Sequence, residues 1–339
     1  MVSAGPSAVQ RGVVGLAVSA MAVAGCGGGG GGRSAASQDL HVVATTSILG
    51  DVVGNVVGGA GRVDTLMEAG IDPHSYRPSA EAARLLGTAD LVVANGLQLE
   101  ETLLDALAAA EQEGAEVLRV ADQLDPIPVG ATLGDDHADD HADDQGGDRA
   151  ADQGGDPHGH PPLDPHVWLD PLRMAEAVTL VAEHVARVAP HAAGRVRANA
   201  AAYRRQVLSL HEEVQAVLGE IPGGRRLLVT NHDAFGYLAA RYELRVVGTV
   251  VPGGTTLAET SPRELARLAA TIRATGAPAI FTENVAPDRL ARTLSGEVGR
   301  KVRVVPLYSD ALGETGSGAD TYLGMLRTDA RLIADALGT

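Results

Sequence analysis

Hydrophobic and polar positions along the chain follow two periods that alternate in order. From Leu40 onward, short β-branched runs are separated by helical patterns, the signature of βαβ units and a parallel sheet. HVVAT (41–45), RVDTLM (62–67), LVVAN (91–95) and EVLRV (116–120) read as strands of a first block. Helices are expected after Ser47, a candidate N-cap, around 79–87, and from about Gln98. A second block holds the strands RLLVT (226–230), LRVVGTV (244–250), PAIFT (278–282) and VRVVPL (302–307). Helical patterns at roughly 234–242, 261–275, 287–298 and 319–337 lie between or after them. Ser261-Pro262-Arg263-Glu264 matches a capping box with proline at the first helical position.

Between the blocks the period changes. Val196, Ala200, Tyr203, Val207, Leu210, Val214 and Val217 recur at alternating spacings of four and three, one apolar seam along a helix. At 1.5 Å per residue, a helix over 195–218 spans about 36 Å, roughly the height of a domain. An ordinary surface helix would carry the same seam. Its place between two α/β blocks favours a stiff strut joining them.

Two segments show no core-forming period. Residues 134–160 hold nine aspartates, one arginine and His137, His141, His158 and His160, and read as a disordered surface loop. Near the start, GVVGLAVSAMAVA (12–24) is an apolar run of 13 behind Arg11. A membrane span needs about 20 residues, whereas a secretory signal needs fewer. The run ends in Val23-Ala24-Gly25-Cys26, which resembles a bacterial lipobox, and six glycines follow at once as a flexible tether. Residues 1–25 are therefore expected to be a signal peptide, Cys26 the lipid attachment point, and 26–39 the tether.

Composition narrows the function classes. The chain has 339 residues, 45% hydrophobic and 21% charged, and suits a globular protein of about two domains. The net charge of −16 repels a phosphate backbone, so nucleic acid is not expected as a partner. One cysteine excludes intrachain disulfides and a cysteine-based zinc finger. Neither a P-loop nor a G-x-S-x-G elbow is present, and nothing nominates a nucleophile or general base. His211-Glu212-Glu213 begins like H-E-x-x-H, but Gln215 stands at the second histidine's place.

What remains is the placement of 11 histidines. His74 and His166 lie in two Asp-Pro-His triplets, each of which on its own reads as a turn. His232 comes two residues after the strand LLVT, and Asp310 three residues after VRVVPL. Ligands of open parallel sheets bind outside the carboxyl ends of the strands, so two facing sheets can bring His232 and Asp310 to one cleft. Three neutral imidazoles and one carboxylate make a sensible four-coordinate set for Zn²⁺. Spacing alone does not bring positions 74, 166, 232 and 310 together. His41, His184, His191 and His211 read as solvated, the last three on helices.

In order along the chain, GIDPHSYRPSAEAARLLGTADLVVANGLQLE (70–100), LDPHVWLDP (163–171), TNHDAFGYLAARYEL (230–244), IFTENVAPDRLA (280–291) and PLYSDALG (306–313) resemble a known family. It is that of the metal-specific solute-binding lipoproteins of ABC importers, of the ZnuA/TroA type. The resemblance runs from about residue 40 to 337. It implies two α/β lobes, each a mainly parallel sheet flanked by helices, joined by one long rigid helix, with the metal between them. Carried onto this chain, the lobes are 40–190 and 221–339, with 191–220 connecting them. The implied ligands are His74 and His166 from the first lobe, and His232 and Asp310 from the second. Glu283 is implied as a supporting or alternative carboxylate. His232, where manganese-type members carry Glu, and the Asp/His-rich loop both favour zinc. Arg77 departs from the family's usual Glu at a position that is not a ligand.

The function so implied is capture of Zn²⁺ outside the cytoplasm by a monomer lipid-anchored to the cell membrane, or periplasmic where an outer membrane exists. The protein would deliver the ion to an ABC permease driven by a separate ATPase subunit. The loop histidines would collect zinc weakly. Manganese or mixed divalent binding is the alternative within the class, and a zinc-dependent hydrolase or a zinc-storage protein the alternative outside it.

Overall fold

The computed structural model describes residues 40–133 and 162–338. Within them lie two parallel four-stranded sheets. The first pairs β1 (Leu40–Ala44), β2 (Gly61–Thr65), β3 (Leu91–Ala94) and β4 (Glu116–Arg119) in the order β2-β1-β3-β4. The second pairs β5 (Leu227–Thr230), β6 (Arg245–Thr249), β7 (Ala279–Glu283) and β8 (Arg303–Leu307) in the order β6-β5-β7-β8. Both orders are the same pattern. Each sheet reverses its winding between its first and third strands, the place where open parallel sheets offer a ligand crevice at their carboxyl ends.

The helices cover these sheets. α1 (Ser47–Val57), α2 (Ala80–Thr88), α3 (Leu104–Glu113) and α4 (Pro171–Val188) belong with the first sheet. α6 (Gly236–Tyr242), α7 (Pro262–Thr275), α8 (Arg289–Glu297) and α9 (Tyr322–Gly338) follow with the second. Local chemistry sets several ends. The capping box of α7 forms as the sequence implies, with Ser261 Oγ accepting from Glu264 N and Glu264 reaching back to Ser261 N. α3 ends at Gly114, whose φ of 104° is a conformation that glycine adopts without penalty.

α5 (Ala193–Gly219) runs between the two sheets as the strut, 27 residues or about 40 Å long. It packs on α1, α4 and α9. Its buried seam is Val196, Ala200, Tyr203, Val207, Leu210, Val214 and Leu218. Val217, the expected last member, is only half-buried, because 3.6 residues per turn carries the stripe to Leu218 by that point. One hydrophobic core joins residues of both sheets, including Val42, Leu91, Leu228 and Phe281, together with Trp168, Val207, Phe235, Tyr322 and Met325. Among the described residues no helix is long and apolar enough to cross a membrane.

The structure departs from the sequence reading at four further places. Thr46, not Ser47, caps α1, its side chain accepting from Leu49 N, and Ser47 Oγ is left to accept from Leu312 N of the second half. The helix expected from Gln98 begins at Leu104, because Leu97 and Gln98 adopt left-handed φ values of 50° and 63°. α4 was not anticipated, although Met174, Val178, Val181 and Val185 bury one face at spacings of four and three. His191 lies in the turn between α4 and α5, off any helix, and His41, His184 and His211 are half-buried and hydrogen-bonded to Asp64, Glu116 and Tyr242.

Candidate metal centre

The two Asp-Pro-His triplets fold alike. Proline fixes φ and offers no N–H, and the aspartate side chain accepts the histidine N–H two residues on. Asp72 Oδ1 accepts from His74 N, and Asp164 Oδ1 from His166 N, both at 2.9 Å. Each triplet is thus a turn and also a mount for its imidazole. His74 stands between β2 and α2. His166 stands before the short turn Val167–Leu169 that leads into α4, whose N-cap Asp170 is gripped by both ends of the Arg241 fork (2.9 and 2.6 Å).

From the second half, His232 lies two residues past β5 and Asp310 three residues past β8. The four side chains meet. Their nearest nitrogen and carboxylate atoms all lie within 4.8 Å of one another, and every one of the four residues is buried. His166 Nε2 and His232 Nε2 are 3.1 Å apart. Asp310 oxygens sit 3.6 Å from His166 Nε2, 3.6 Å from His232 Nε2 and 3.9 Å from His74 Nε2. Four ligands about 2.0–2.1 Å from a tetrahedral ion lie about 3.3 Å from each other. The cluster therefore has the right size. His74 Nε2 and both Asp310 oxygens have no hydrogen-bond partner, although burial makes such orphans costly.

Two further carboxylates stand behind the imidazoles. Asp164 Oδ1 accepts from His166 Nδ1 at 2.6 Å, and Glu283 accepts from His232 Nδ1 at 2.8 and 2.9 Å. A hydrogen bond at Nδ1 fixes the tautomer and leaves the Nε2 lone pair aimed into the cluster. Glu283 thus supports an imidazole and does not enter the cluster itself. Asp164 was missed in the sequence, although the repeated Asp-Pro-His carried the signal.

Electrostatics divide the cluster in two. Burial and the neighbouring imidazoles push His74 well below its ordinary range, and burial with His232 does the same to His166. Burial also opposes the charged form of His232, but the Glu283 and Asp310 carboxylates outweigh it and hold that imidazole up at about 10. Burial raises Asp310 to about 8 and Asp164 to about 8. Burial thus disfavours charge on the first-half histidines, whereas His232 and Asp310 hold protons more strongly than usual. A divalent cation bound there would have to displace protons from this second-half pair.

His137, His141, His158, His160 and Cys26 lie outside the described residues, as do residues 1–39. The chain matches the family described as zinc-uptake complex component A, periplasmic, over residues 42–336. The chain belongs to that family. Its members are solute-binding components of metal ABC transporters and not enzymes. The zinc-binding protein TroA of Treponema pallidum is 31% identical over 300 residues, covering 87% of this chain and 88% of that one. The manganese-binding lipoprotein MntA of Bacillus subtilis is 29% identical over 322 residues, covering 93% and 95%. The solved structure of the periplasmic zinc-binding protein TroA from Treponema pallidum superposes with a TM-score of 0.74 at 30% identity, covering 88% of this chain and 99% of that one.

Proposed function

We propose that the protein captures Zn²⁺ outside the cytoplasm through His74, His166, His232 and Asp310, and hands it to an ABC permease powered by a separate ATPase subunit. The observation that carries the reading is the donor set: three imidazoles and one carboxylate converging in a buried cluster. For a given nitrogen-rich site, affinity for Zn²⁺ exceeds that for Mn²⁺, and Mn²⁺ favours carboxylate, carbonyl and water oxygens. Four protein ligands leave no position for a reactive water, which suits capture and not catalysis.

Manganese or mixed divalent specificity is the competing reading. It is supported by relatives named for manganese, and by two free Asp310 oxygens that allow a higher coordination number. Calorimetric titration with Zn²⁺ and Mn²⁺ separates the two. One tight zinc site, weaker for manganese and lost in His232→Ala, is the expected outcome. Tighter binding of manganese at that site overturns the zinc assignment.

Residues 1–25 are read as a signal peptide and Cys26 as the lipid anchor, in keeping with relatives named as lipoproteins. Loss of lipid-precursor labelling in Cys26→Ser is the test. The lobes are read as 40–190 and 221–339 joined by 191–220, although Leu133 bridges to Val246 and Gly130 N donates to Asp233. The acidic histidine loop is read as a weak zinc collector. Its far end re-enters the described chain at Pro162, four residues before His166. Deleting 134–160 should lower zinc stoichiometry or uptake at limiting zinc, and no change in either removes the role.

A further inference from the structure

Neither Asp310 oxygen has a hydrogen bond of normal geometry, and the side chain that steadies it is that of its own neighbour Ser309, so the backbone around the two residues aims this carboxylate. That backbone is pinned on several sides. Tyr308 N donates to the buried Asp329 carboxylate, Asn284 Nδ2 donates to Ala311 O, and Leu312 N donates to Ser47 Oγ. Of the two pins on the residues flanking Asp310, the one on Ser309 comes from the other half of the molecule: Trp168 Nε1 donates to Ser309 O at 2.7 Å.

The same indole stands edge-on to the His166 ring, with centroids 5.2 Å apart and planes at 67°. Its own carbonyl accepts from Tyr322 OH at 2.9 Å, which ties the segment to the start of α9. Trp168 is the only tryptophan in the chain and is 3% exposed. One residue therefore sits two positions from His166 in the chain, against its ring, and one hydrogen bond from the residue before Asp310.

We propose that Trp168 is a positioning residue: its indole N–H holds the Asp310 segment at a set distance from His166, so that this pair of ligands is placed before any metal arrives. The proposal rests on the metal-capture reading above. The ring packs against His166 and limits its tilt, and the N–H fixes the Ser309 carbonyl. A fixed pair loses less freedom on binding, and geometry held by surrounding groups is what an outer contact contributes to a metal site.

The test uses the full chain with Zn²⁺ or Co²⁺ alone as probe. Trp168→Phe keeps the aromatic edge against His166 and removes the donor. Zn²⁺ affinity should fall about tenfold, the low end for groups outside the ligand shell. The visible absorption of the Co²⁺ form should weaken as Asp310 drifts from tetrahedral placement. Should the phenylalanine variant not fold, benzothienylalanine at the same position removes only the N–H and serves instead. In a cycle with Asp310→Ala, the Trp168→Phe effect should vanish, since there is no longer a carboxylate to position.

A readout free of metal is the single indole ¹H–¹⁵N resonance, which should be protected from hydrogen exchange in the metal-free protein. Free exchange there, or unchanged affinity and cobalt spectrum in either variant, or full additivity in the cycle, overturns the proposal. A wild-type chain with no metal site sensitive to His232→Ala overturns the metal-capture reading itself, so the two failures are told apart.

Discussion

The two sheets have the same strand order and so the same switch point beside the first strand, yet that place is filled differently in each. In the first, a buried glutamate, Glu100, accepts from Thr45 Oγ1 at 2.6 Å and from Asn95 N at 2.7 Å. Asn95 Nδ2 then donates to Pro165 O at 2.9 Å, which steadies the turn carrying His166. In the second, a buried glutamate, Glu283, accepts from both the backbone N and Nδ1 of His232. Burial raises the proton affinity of Glu100, whose partners are neutral donors. Burial acts on Glu283 too, but the His232 cation outweighs it and lowers that affinity. The topology makes the switch point, and the partner placed on the glutamate decides what it does. A hydroxyl and amides make it a brace, and an imidazole makes it a metal-site support.

The sharpest way to break that contrast is to truncate both partners. His232→Ala removes a ligand and strands Glu283 in the interior, so Zn²⁺ affinity should fall by more than the roughly 100-fold of an outer-shell loss. Thr45→Ala should change affinity by less than about threefold, since its bond ends in a brace at the scale of one hydrogen bond. Calorimetric titration of both variants checks the pair; equal losses would erase the distinction.

Changing the glutamates themselves probes the next level. Glu283→Gln should weaken zinc binding by about 10–100-fold while His232 stays in place. Glu100→Gln puts an amide among N–H and O–H donors, and should cost about 1–3 kcal/mol of folding stability with a much smaller effect on binding. Denaturant unfolding of the metal-free proteins, run beside zinc titrations, separates the two costs.

The contrast also has a pH signature. Only the second-half ligands carry raised proton affinities, about 10 for His232 and about 8 for Asp310. A metal must displace protons that the free site holds, so affinity rises as pH rises and falls as pH drops. Protons should be released when Zn²⁺ binds at pH 7, and fewer as pH rises through about 8 and then about 10. Calorimetry in buffers of different ionisation enthalpy measures this number, and no release at pH 7 would contradict the raised proton affinities.

The smallest effect is expected at the rim. Thr256 Oγ1 donates to Asp72 Oδ2 at 2.7 Å, from the second half to the turn that carries His74. Thr256→Ala removes one partly buried hydrogen bond, worth about 1 kcal/mol, and should speed zinc release by no more than about tenfold. Stopped-flow transfer of zinc to a chelator reads it.

Much of the fold was legible because strand and helix periods are local. All eight strands were found within two residues of their ends, since β-branched runs between turns leave few alternatives. α4 carries a helical period in Met174, Val178, Val181 and Val185, yet the sequence reading places no element over 171–188. The site was legible as four candidates and no more. Asp-Pro-His twice over shows a turn, and the sequence alone cannot tell a turn that faces water from one that faces another lobe.

Residue order by itself determined the alternating α/β pattern, the long strut, the two Asp-Pro-His mounts and the positions of His232 and Asp310 past strand ends. These follow from side-chain period and from hydrogen bonds that reach only two or three residues. Tertiary structure decided which carboxylate enters the cluster and which stands behind an imidazole. It also decided that His166 and Asp310 are joined through Trp168, and that proton affinity is raised at His232 and Asp310 but lowered at His74 and His166. Those outcomes depend on burial and on charges brought within a few ångströms from positions far apart in the chain. Desolvation and Coulomb terms have no local sequence signature.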